Sequence, residues 1–271
     1  MIIDGKKIAE EIKNSLREEI LKSGKKLKLA IVQVGENEVS KKFIERKVKF
    51  AEEIGIKTRI YNLPEEISTS QLRKKMAEIC HIKENDGIII QLPLPKNINT
   101  QYALNSIVLK KDVDILSSRS FGDFATGRSK ILPPLVGVVK TIFEKYNIEP
   151  AGKNIVIIGR GILVGKPIAS WLINEGATVS VLNSKTKDIS KFTKEADIII
   201  SGVGKPGLVK PDILKDGVVV IDAATSIKDG KLIGDFDPST AEKSLLFTPV
   251  PGGVGPITVA MLFKNLIELN K

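Results

Sequence analysis

Gln91 occupies a position at which α/β proteins commonly bind ligands. It follows the apolar run 88–90 and precedes Pro93, so we expect it at the carboxyl end of a strand. Lys47 lies four residues after Phe43, which places both side chains on one face of a predicted helix. A lysine on a helix face is most often simply solvated. From residue type alone, Gln91 is therefore the stronger candidate for contact with a ligand.

Asp112 and Asp114 form a second candidate pair, because carboxylates two positions apart share one face of an extended chain. No histidine accompanies them, since the chain contains a single histidine, His81, and a single cysteine, Cys80. Zinc sites draw mainly on these two residue types, and a disulfide needs two cysteines. We therefore predict no metal site and no intrachain disulfide.

A glycine-rich segment follows the apolar run 154–158 and precedes a predicted helix. Gly159, Gly161 and Gly165 have the spacing G-x-G-x-x-x-G, one residue wider than the usual dinucleotide fingerprint. Glycines at such a turn let backbone N–H groups approach a pyrophosphate at the helix N-terminus. A tight turn without a ligand is the alternative. The position of the segment, after the first strand of an α/β alternation, favours a dinucleotide.

The end of the next predicted strand, 177–182, indicates which dinucleotide is bound. NAD sites usually have Asp or Glu there to bond the ribose 2′-hydroxyl, whereas this chain has Asn183, Ser184 and Lys185. Arg160, Ser184 and Lys185 can together neutralise a 2′-phosphate, although an ordinary polar loop would have the same composition. We therefore predict NADP as the cofactor, with NAD as the alternative.

Strand and helix patterns alternate along the chain. Repeated strand–helix–strand units predict a doubly wound α/β fold in two lobes, at 1–136 and 137–252. Ser40 and Gly55 are the predicted N-cap and stop of the second helix. The predicted strands are 27–34, 58–63, 87–92, 154–159, 177–182, 196–201 and 217–222, and the predicted helices are 8–20, 40–55, 70–81, 138–146, 167–175 and 257–269.

Composition narrows the class of protein. The 271 residues are 42% hydrophobic, and 42 basic against 32 acidic residues give a formal charge of +10. No apolar run approaches the roughly 18–20 residues of a membrane span, and residues 1–7 lead into an amphipathic helix pattern rather than a signal peptide. Aromatic residues make up 5%, which is few for stacking on nucleic-acid bases. We expect a cytoplasmic protein with no membrane or nucleic-acid partner.

These motifs, in this order, resemble one enzyme family nearly from end to end. The family is bifunctional methylenetetrahydrofolate dehydrogenase/methenyltetrahydrofolate cyclohydrolase. The most specific element is a Pro- and Gly-rich segment that leads into the last helix. The segments that carry the resemblance are Thr248–Pro256 with Thr258, Gln91–Pro95, Lys111–Asp114, Gly159-Arg160 with Val164–Pro167, Val34-Gly35 with Ser40 and Lys47, and Gly234-Asp235 with Asp237.

The resemblance implies roles for individual residues. Lys47 matches the family's catalytic lysine, Gln91 its hydrogen-bonding partner, and Asp114 the carboxylate that holds the pterin ring. The implied folate-binding residues are Phe43, Ile90, Leu92, Pro251, Gly252, Gly253 and Val254. The implied cofactor-binding residues are Gly159, Arg160, Gly161, Val164, Gly165, Ser184 and Thr225, with Arg160 and Ser184 at the 2′-phosphate.

The resemblance also implies an architecture and a reaction. The family has an N-terminal catalytic lobe, here 1–136 joined by the C-terminal helix 253–271, and a Rossmann NADP-binding lobe, here 137–252, with a cleft between them. It commonly forms homodimers. Its members oxidise 5,10-methylenetetrahydrofolate with NADP and hydrolyse the 5,10-methenyl product to 10-formyltetrahydrofolate.

Several positions depart from the family pattern. Phe43 replaces a tyrosine, Gly161 a serine, Asn183 a histidine and Ile115 a glycine, and the segments 132–135 and 223–226 also differ. The loss of a hydroxyl beside Lys47 makes a dehydrogenase with weakened cyclohydrolase the first alternative. A non-catalytic protein that binds NADP or folate and a shikimate-type dehydrogenase are the others.

Overall fold

The structure, a computed structural model, describes residues 1–228 and 231–271. Its α-helices are α1 (Gly5–Ser23), α2 (Glu38–Glu53), α3 (Thr69–His81), α4 (Thr100–Leu104), α5 (Ser118–Ala125), α6 (Pro134–Lys145), α7 (Gly165–Asn174), α8 (Ser190–Thr193), α9 (Thr240–Lys243) and α10 (Val254–Leu269). Its strands are β1 (Lys28–Val34), β2 (Lys57–Leu63), β3 (Gly87–Ile90), β4 (Asn154–Ile158), β5 (Thr178–Leu182), β6 (Ile198–Ser201), β7 (Val218–Asp222), β8 (Ser226–Lys228), β9 (Lys231–Ile233) and β10 (Ser244–Phe247). Short 3-10 helices lie at Leu109–Lys111 and Pro211–Ile213.

The chain forms two compact units. Glu10–Pro134 and Val259–Lys271 form one, which we call the three-stranded unit, and Met1–Ala9 and Leu135–Thr258 form the other, the five-stranded unit. This division differs from the predicted lobes at residues 1–9, 135–136 and 253–258, all of which join the five-stranded unit. The first nine residues do so because the backbone before α1 pairs with β10: the N–H of residue 3 donates to the carbonyl of residue 247 over 2.9 Å.

The three-stranded unit has a parallel sheet in the order β2-β1-β3. The central strand, β1, is almost wholly buried, as its apolar run requires. The C-terminal part of α10 packs into the core of this unit, where Phe263 stacks on Phe50 of α2 with ring centroids 5.3 Å apart. The core thereby fixes α2, the helix that carries Lys47.

The five-stranded unit has a parallel sheet in the order β10-β7-β6-β4-β5. The chain leaves β4 for β5 on one side and then returns to β6 on the other, so the strand order reverses at β4. Ligands of doubly wound sheets bind beyond the carboxyl ends of the strands at such a reversal. The α/β alternation predicted from the sequence is confirmed, and the glycine-rich segment lies at this point.

The second helix begins earlier than predicted. Its N-cap is Asn37, whose side-chain oxygen accepts the N–H of Ser40 over 2.9 Å, so the prediction of Ser40 as N-cap was wrong. Both residue types serve as caps, and the apolar periodicity does not distinguish between them. The helix ends at Glu53, and Gly55 follows in the left-handed region at φ +80°, as expected of a stop.

The described residues include no helix long and apolar enough to cross a membrane. They also include no group of three or more His, Cys, Asp or Glu side chains placed to hold a metal ion.

Candidate active site

Lys47 and Gln91 meet in the three-stranded unit. The Lys47 amine donates to Gln91 Oε1 over 2.8 Å, and Gln91 Nε2 donates to the Leu92 carbonyl over 2.8 Å. Gln91 follows β3 directly, and its backbone N–H donates to the Val32 carbonyl over 2.8 Å, which extends the sheet by one residue. Lys47 is half-buried, so it does not behave as an ordinary solvated lysine. The sheet edge and α2 together hold an amine against a carboxamide.

Asp114 supplies the charge beside this pair. Burial lowers the pKa of the Lys47 amine, and the negative charge of Asp114 opposes that shift. Burial also raises the pKa of Asp114 to about 6, although the Lys47 charge lowers it. The pKa of Lys47 is thus lowered and that of Asp114 raised, so both are shifted in the direction of neutral pH.

Asp112 has a different role from Asp114, although only one residue separates them. Its side chain is buried, and its carboxylate accepts the backbone N–H groups of Leu116, over 3.3 Å, and Ser117, over 2.9 Å. Ile115, which lies between Asp112 and these two N–H groups in the chain, has φ +55° and is 1% exposed. Asp112 therefore shapes the turn that carries Asp114.

The remaining predicted folate residues of this unit differ in exposure. Phe43 is half-buried one helical turn before Lys47, and the Arg46 guanidinium lies 5.8 Å from its ring centroid. Ile90 is 2% exposed, so its side chain belongs to the core, whereas Leu92 is half-buried. Phe43 and Leu92 have the exposure that a contact with a ring system requires.

The Pro- and Gly-rich segment lies in the five-stranded unit. Gly252 has φ +103°, and the N–H of Gly253 donates to the Pro249 carbonyl over 2.8 Å. A Cβ on Gly253 would lie 2.6 Å from that same carbonyl oxygen, so only glycine allows this turn. Pro251 is exposed at its tip, and Val254 is the buried first residue of α10.

The glycine-rich segment after β4 forms a cradle that side chains would fill. Gly159 has φ +107°, and a Cβ there would lie 2.7 Å from Val203 Cγ1. A Cβ on Gly165, the first residue of α7, would collide with the carbonyl of Gly159, and one on Gly202 would lie 2.5 Å from Val164 Cγ1. The backbones of β4, β6 and α7 thus approach closely, which is what a dinucleotide site requires of its glycines. The residues present fit the predicted dinucleotide.

The basic edge of this cradle is formed by the ends of two adjacent strands. Arg160 follows β4, and Ser184 and Lys185 follow β5; all three are exposed. Asn183 orders the second loop, because its Oδ1 accepts the N–H of Lys185 over 2.9 Å. A Cβ on Gly161 would meet no heavy atom within 4 Å, so the family's serine is absent here without a steric reason.

Asp222 ends β7 and is buried. Its carboxylate accepts the N–H groups of Ala224 and Phe236, each over 3.0 Å, and burial raises its pKa to about 6. The bond from Ala224 caps the loop that follows β7. Thr225, predicted to contact the cofactor, lies exposed in this loop.

Asp235 holds the loop after β6. Its carboxylate accepts the Ser201 hydroxyl over 2.6 Å, the Val203 N–H over 2.8 Å and the Lys205 N–H over 2.6 Å. Sequence pattern does not predict this structural role, because the three partners lie 30 or more positions away. Its one signal in the sequence was the Gly234-Asp235 pair.

The fold and these sites define a class: α/β proteins of two units, one of them a Rossmann-type dinucleotide-binding unit. Two family models match the chain: "Tetrahydrofolate dehydrogenase/cyclohydrolase, catalytic domain" over residues 3–114, and the "NAD(P)-binding domain" of the same family over residues 134–271. The chain belongs to the tetrahydrofolate dehydrogenase/cyclohydrolase family. This membership excludes the shikimate-type alternative.

Individual relatives are similar over their whole length. The "Bifunctional protein FolD" of Sulfurihydrogenibium sp. (strain YO3AOP1) is 40% identical, and the match covers 100% of this chain and 98% of that protein. The crystal structure of the bifunctional enzyme FolD from Campylobacter jejuni has a TM-score of 0.95 at 40% identity, covering 99% of this chain and 98% of that one. The Trypanosoma brucei enzyme, complexed with NADP cofactor and inhibitor, has a TM-score of 0.94 at 32% identity, covering 99% and 96%.

Proposed function

We propose that the chain oxidises 5,10-methylenetetrahydrofolate to 5,10-methenyltetrahydrofolate with NADP and hydrolyses that product to 10-formyltetrahydrofolate. Family membership supports both activities, since models of both domains match. The observation that carries the proposal is the bond from the Lys47 amine to Gln91 beside the charge of Asp114. This arrangement supplies a proton-transfer group in the unit that matches the catalytic domain.

The five-stranded unit would hold NADP. Gly159, Gly161 and Gly165 would line the pyrophosphate, while Arg160 and Ser184 would meet the 2′-phosphate. The chemistry that NADP supplies when bound is acceptance of a hydride from the methylene carbon of the substrate. Because no proton moves in that oxidation, the chain's own contribution there is binding and orientation.

Hydrolysis does require proton transfer, and Lys47 is the group proposed for it. Water adds to the cationic carbon between N5 and N10, and the neutral amine of Lys47 takes one proton from that water. The ammonium then returns the proton to N5 as the carbon–N5 bond breaks, and the remaining hydroxyl proton goes to solvent as the formyl C=O forms. The lowered pKa of Lys47 favours this exchange near neutral pH.

The neighbouring side chains would orient the amine and the substrate. Gln91 holds the Lys47 amine without adding charge, and Asp114 would bind the pterin ring as a hydrogen-bond acceptor. Phe43 would stack on an aromatic ring of the folate. Its missing hydroxyl is the reason to measure the two activities separately. Ile90, Leu92 and residues 251–254 are the further proposed folate contacts.

The test is a spectrophotometric assay with 5,10-methylenetetrahydrofolate, run with NADP and with NAD, in which reduced cofactor and methenyl product are resolved over time. Lys47→Met is compared with Lys49→Met, which removes an exposed lysine from the same helix. Because general acid–base catalysis contributes about 10²–10⁴-fold, we expect Lys47→Met to lose at least about 100-fold in methenyl hydrolysis and far less in oxidation. Lys49→Met should match the wild type.

Other outcomes favour the alternatives. Methenyl product that accumulates and decays only at its uncatalysed rate would identify a dehydrogenase without cyclohydrolase. Folded wild-type protein that reduces neither nucleotide would refute the proposal and favour a non-catalytic binding protein. Equal hydrolysis by Lys47→Met and Lys49→Met would remove Lys47 from the mechanism.

We further propose that the chain is a cytoplasmic homodimer. The free, buried thiol of Cys80 is typical of a reducing compartment, and the family resemblance suggests the dimer. Light scattering after size-exclusion chromatography tests the dimer, for which a mass of twice 29.6 kDa is expected.

A further inference from the structure

The carboxylate of Asp114 depends on the backbone around it for its position. The segment 111–117 is attached at several points: the Lys111 amine donates to the carbonyls of Cys80 and Ile82 over 3.0 and 2.9 Å, and residue 112 pairs with β3 in an isolated parallel bridge. These attachments lie at the start of the segment. None of them involves the peptide bond that joins residue 113 to Asp114.

Asn265 of α10 makes that attachment. Its Nδ2 donates to the Val113 carbonyl over 2.9 Å and to the Leu132 carbonyl over 2.7 Å, so the one amide nitrogen bridges two chain segments. The Val113 carbonyl belongs to the peptide bond that joins Val113 to Asp114. Fixing this peptide plane sets the direction in which the Asp114 side chain leaves the backbone.

The surroundings of Asn265 make this bridge specific. The residue is 6% exposed and lies among the apolar side chains of α10, including Leu262, Phe263, Leu266 and Ile267, that form the core of the three-stranded unit. A buried amide persists in such a place only when its polar atoms are paired. An apolar residue of similar size would pack equally well but would leave both carbonyls without this donor.

We propose that Asn265 is a positioning residue that holds Asp114 beside Lys47 by fixing the Val113 carbonyl. The part of this inference that concerns catalysis rests on the proposed function. The part that concerns the charge of Asp114 beside Lys47 does not depend on the proposed function. Asn265 touches neither reacting group and acts through the backbone of the segment.

The experiment is a ¹³C-lysine NMR titration of Lys47, whose signal is assigned by its absence in Lys47→Arg. Asn265→Leu removes the donor, and Asp114→Asn defines the complete loss of the carboxylate charge. Ile267→Ala is the matched control, because it weakens the same core from the same helix and Ile267 makes no side-chain hydrogen bond. Since the charge of Asp114 raises the pKa of Lys47, we expect that pKa to fall in Asn265→Leu and Asp114→Asn but not in Ile267→Ala.

Steady-state kinetics give the second readout. We expect Asn265→Leu to raise KM for 5,10-methylenetetrahydrofolate about tenfold and to leave KM for NADP within about twofold, because only the folate-binding carboxylate is displaced. Ile267→Ala should change neither KM. If Asn265→Leu does not fold, Asn265→Ser retains one donor and should give shifts of the same sign but smaller size.

A Lys47 pKa that is the same in the wild type and the Asn265 variant would overturn the inference, and so would equal shifts in the Asn265 and Ile267 variants. If the wild type turns over no folate, the proposed function fails. The NMR titration still decides whether Asn265 positions Asp114.

Discussion

Gly165 offers a sharp test of the cradle after β4. A Cβ at this position would collide with the carbonyl oxygen of Gly159 and lie 2.7 Å from its carbonyl carbon and 3.0 Å from Arg160 Cα. All three atoms belong to the backbone, so no side-chain rotation relieves the overlap. Overpacking of this kind costs about 1–3 kcal/mol, and we expect Gly165→Ala to lie near the upper limit, about 3 kcal/mol.

Gly161→Ala is the matched control from the same loop. A Cβ there meets nothing within 4 Å and its φ is not in the left-handed region, so its free energy of unfolding should lie within about 0.5 kcal/mol of the wild type. Trp171, the only tryptophan of the chain, is buried in α7 and reports the unfolding of this unit by fluorescence. Denaturant titrations give the free energies, and calorimetry gives the affinity for NADP.

We expect Gly165→Ala to unfold at lower denaturant and to bind NADP at least about tenfold more weakly, since the backbone must separate where the pyrophosphate would lie. Gly161→Ala should unfold at the same denaturant concentration as the wild type. Because residue 161 is itself a proposed pyrophosphate contact, its NADP affinity shows what an added methyl group alone costs there. Equal stability of the two variants would refute the close approach of α7 to β4.

Two further predictions concern buried carboxylates. Burial raises the pKa of Asp114 to about 6, so this group takes up a proton as the pH falls through that value. We then expect KM for 5,10-methylenetetrahydrofolate to rise in the wild type. In Asp114→Asn the same KM should be high at every pH tested. A wild-type KM that is flat through pH 6 would contradict this. Asp235→Asn exchanges one acceptor oxygen for an amide NH2 group, so at least one of its donors, which include the N–H groups of Val203 and Lys205, loses its partner. Such a loss costs about 1–3 kcal/mol, and we expect KM for NADP to rise about tenfold or more while KM for folate stays unchanged. Unchanged KM for NADP would show that this loop does not contact the cofactor.

Local patterns predicted the strands and the residues that lie at their carboxyl ends. Gln91 and Gly159 were located because apolar runs end just before them, and the carboxyl edge of a parallel sheet follows from topology alone. Lys47 was harder, since its environment depends on Gln91, 44 positions away. A lysine with the same helical spacing but no such partner would be solvated.

The missed features are those that join distant parts of the chain. The first nine residues belong with β10, more than 200 positions later, and Asn265 bridges to Val113, 152 positions earlier. Such pairings depend on which segments fold together, and periodicity contains no information on this. An amide on a largely apolar helix was the one local sign of the second pairing.

Ile115 affects the unfolded chain as well as the folded one. In the folded protein a β-branched residue at φ +55° carries about 1–2 kcal/mol of backbone strain, and its full burial offsets this by about 1.5–3 kcal/mol. In the unfolded ensemble isoleucine samples far fewer backbone conformations than the glycine of the family pattern. The turn that carries Asp114 therefore has less conformational entropy to lose when it forms, and part of its stability comes from the restricted freedom of the denatured state.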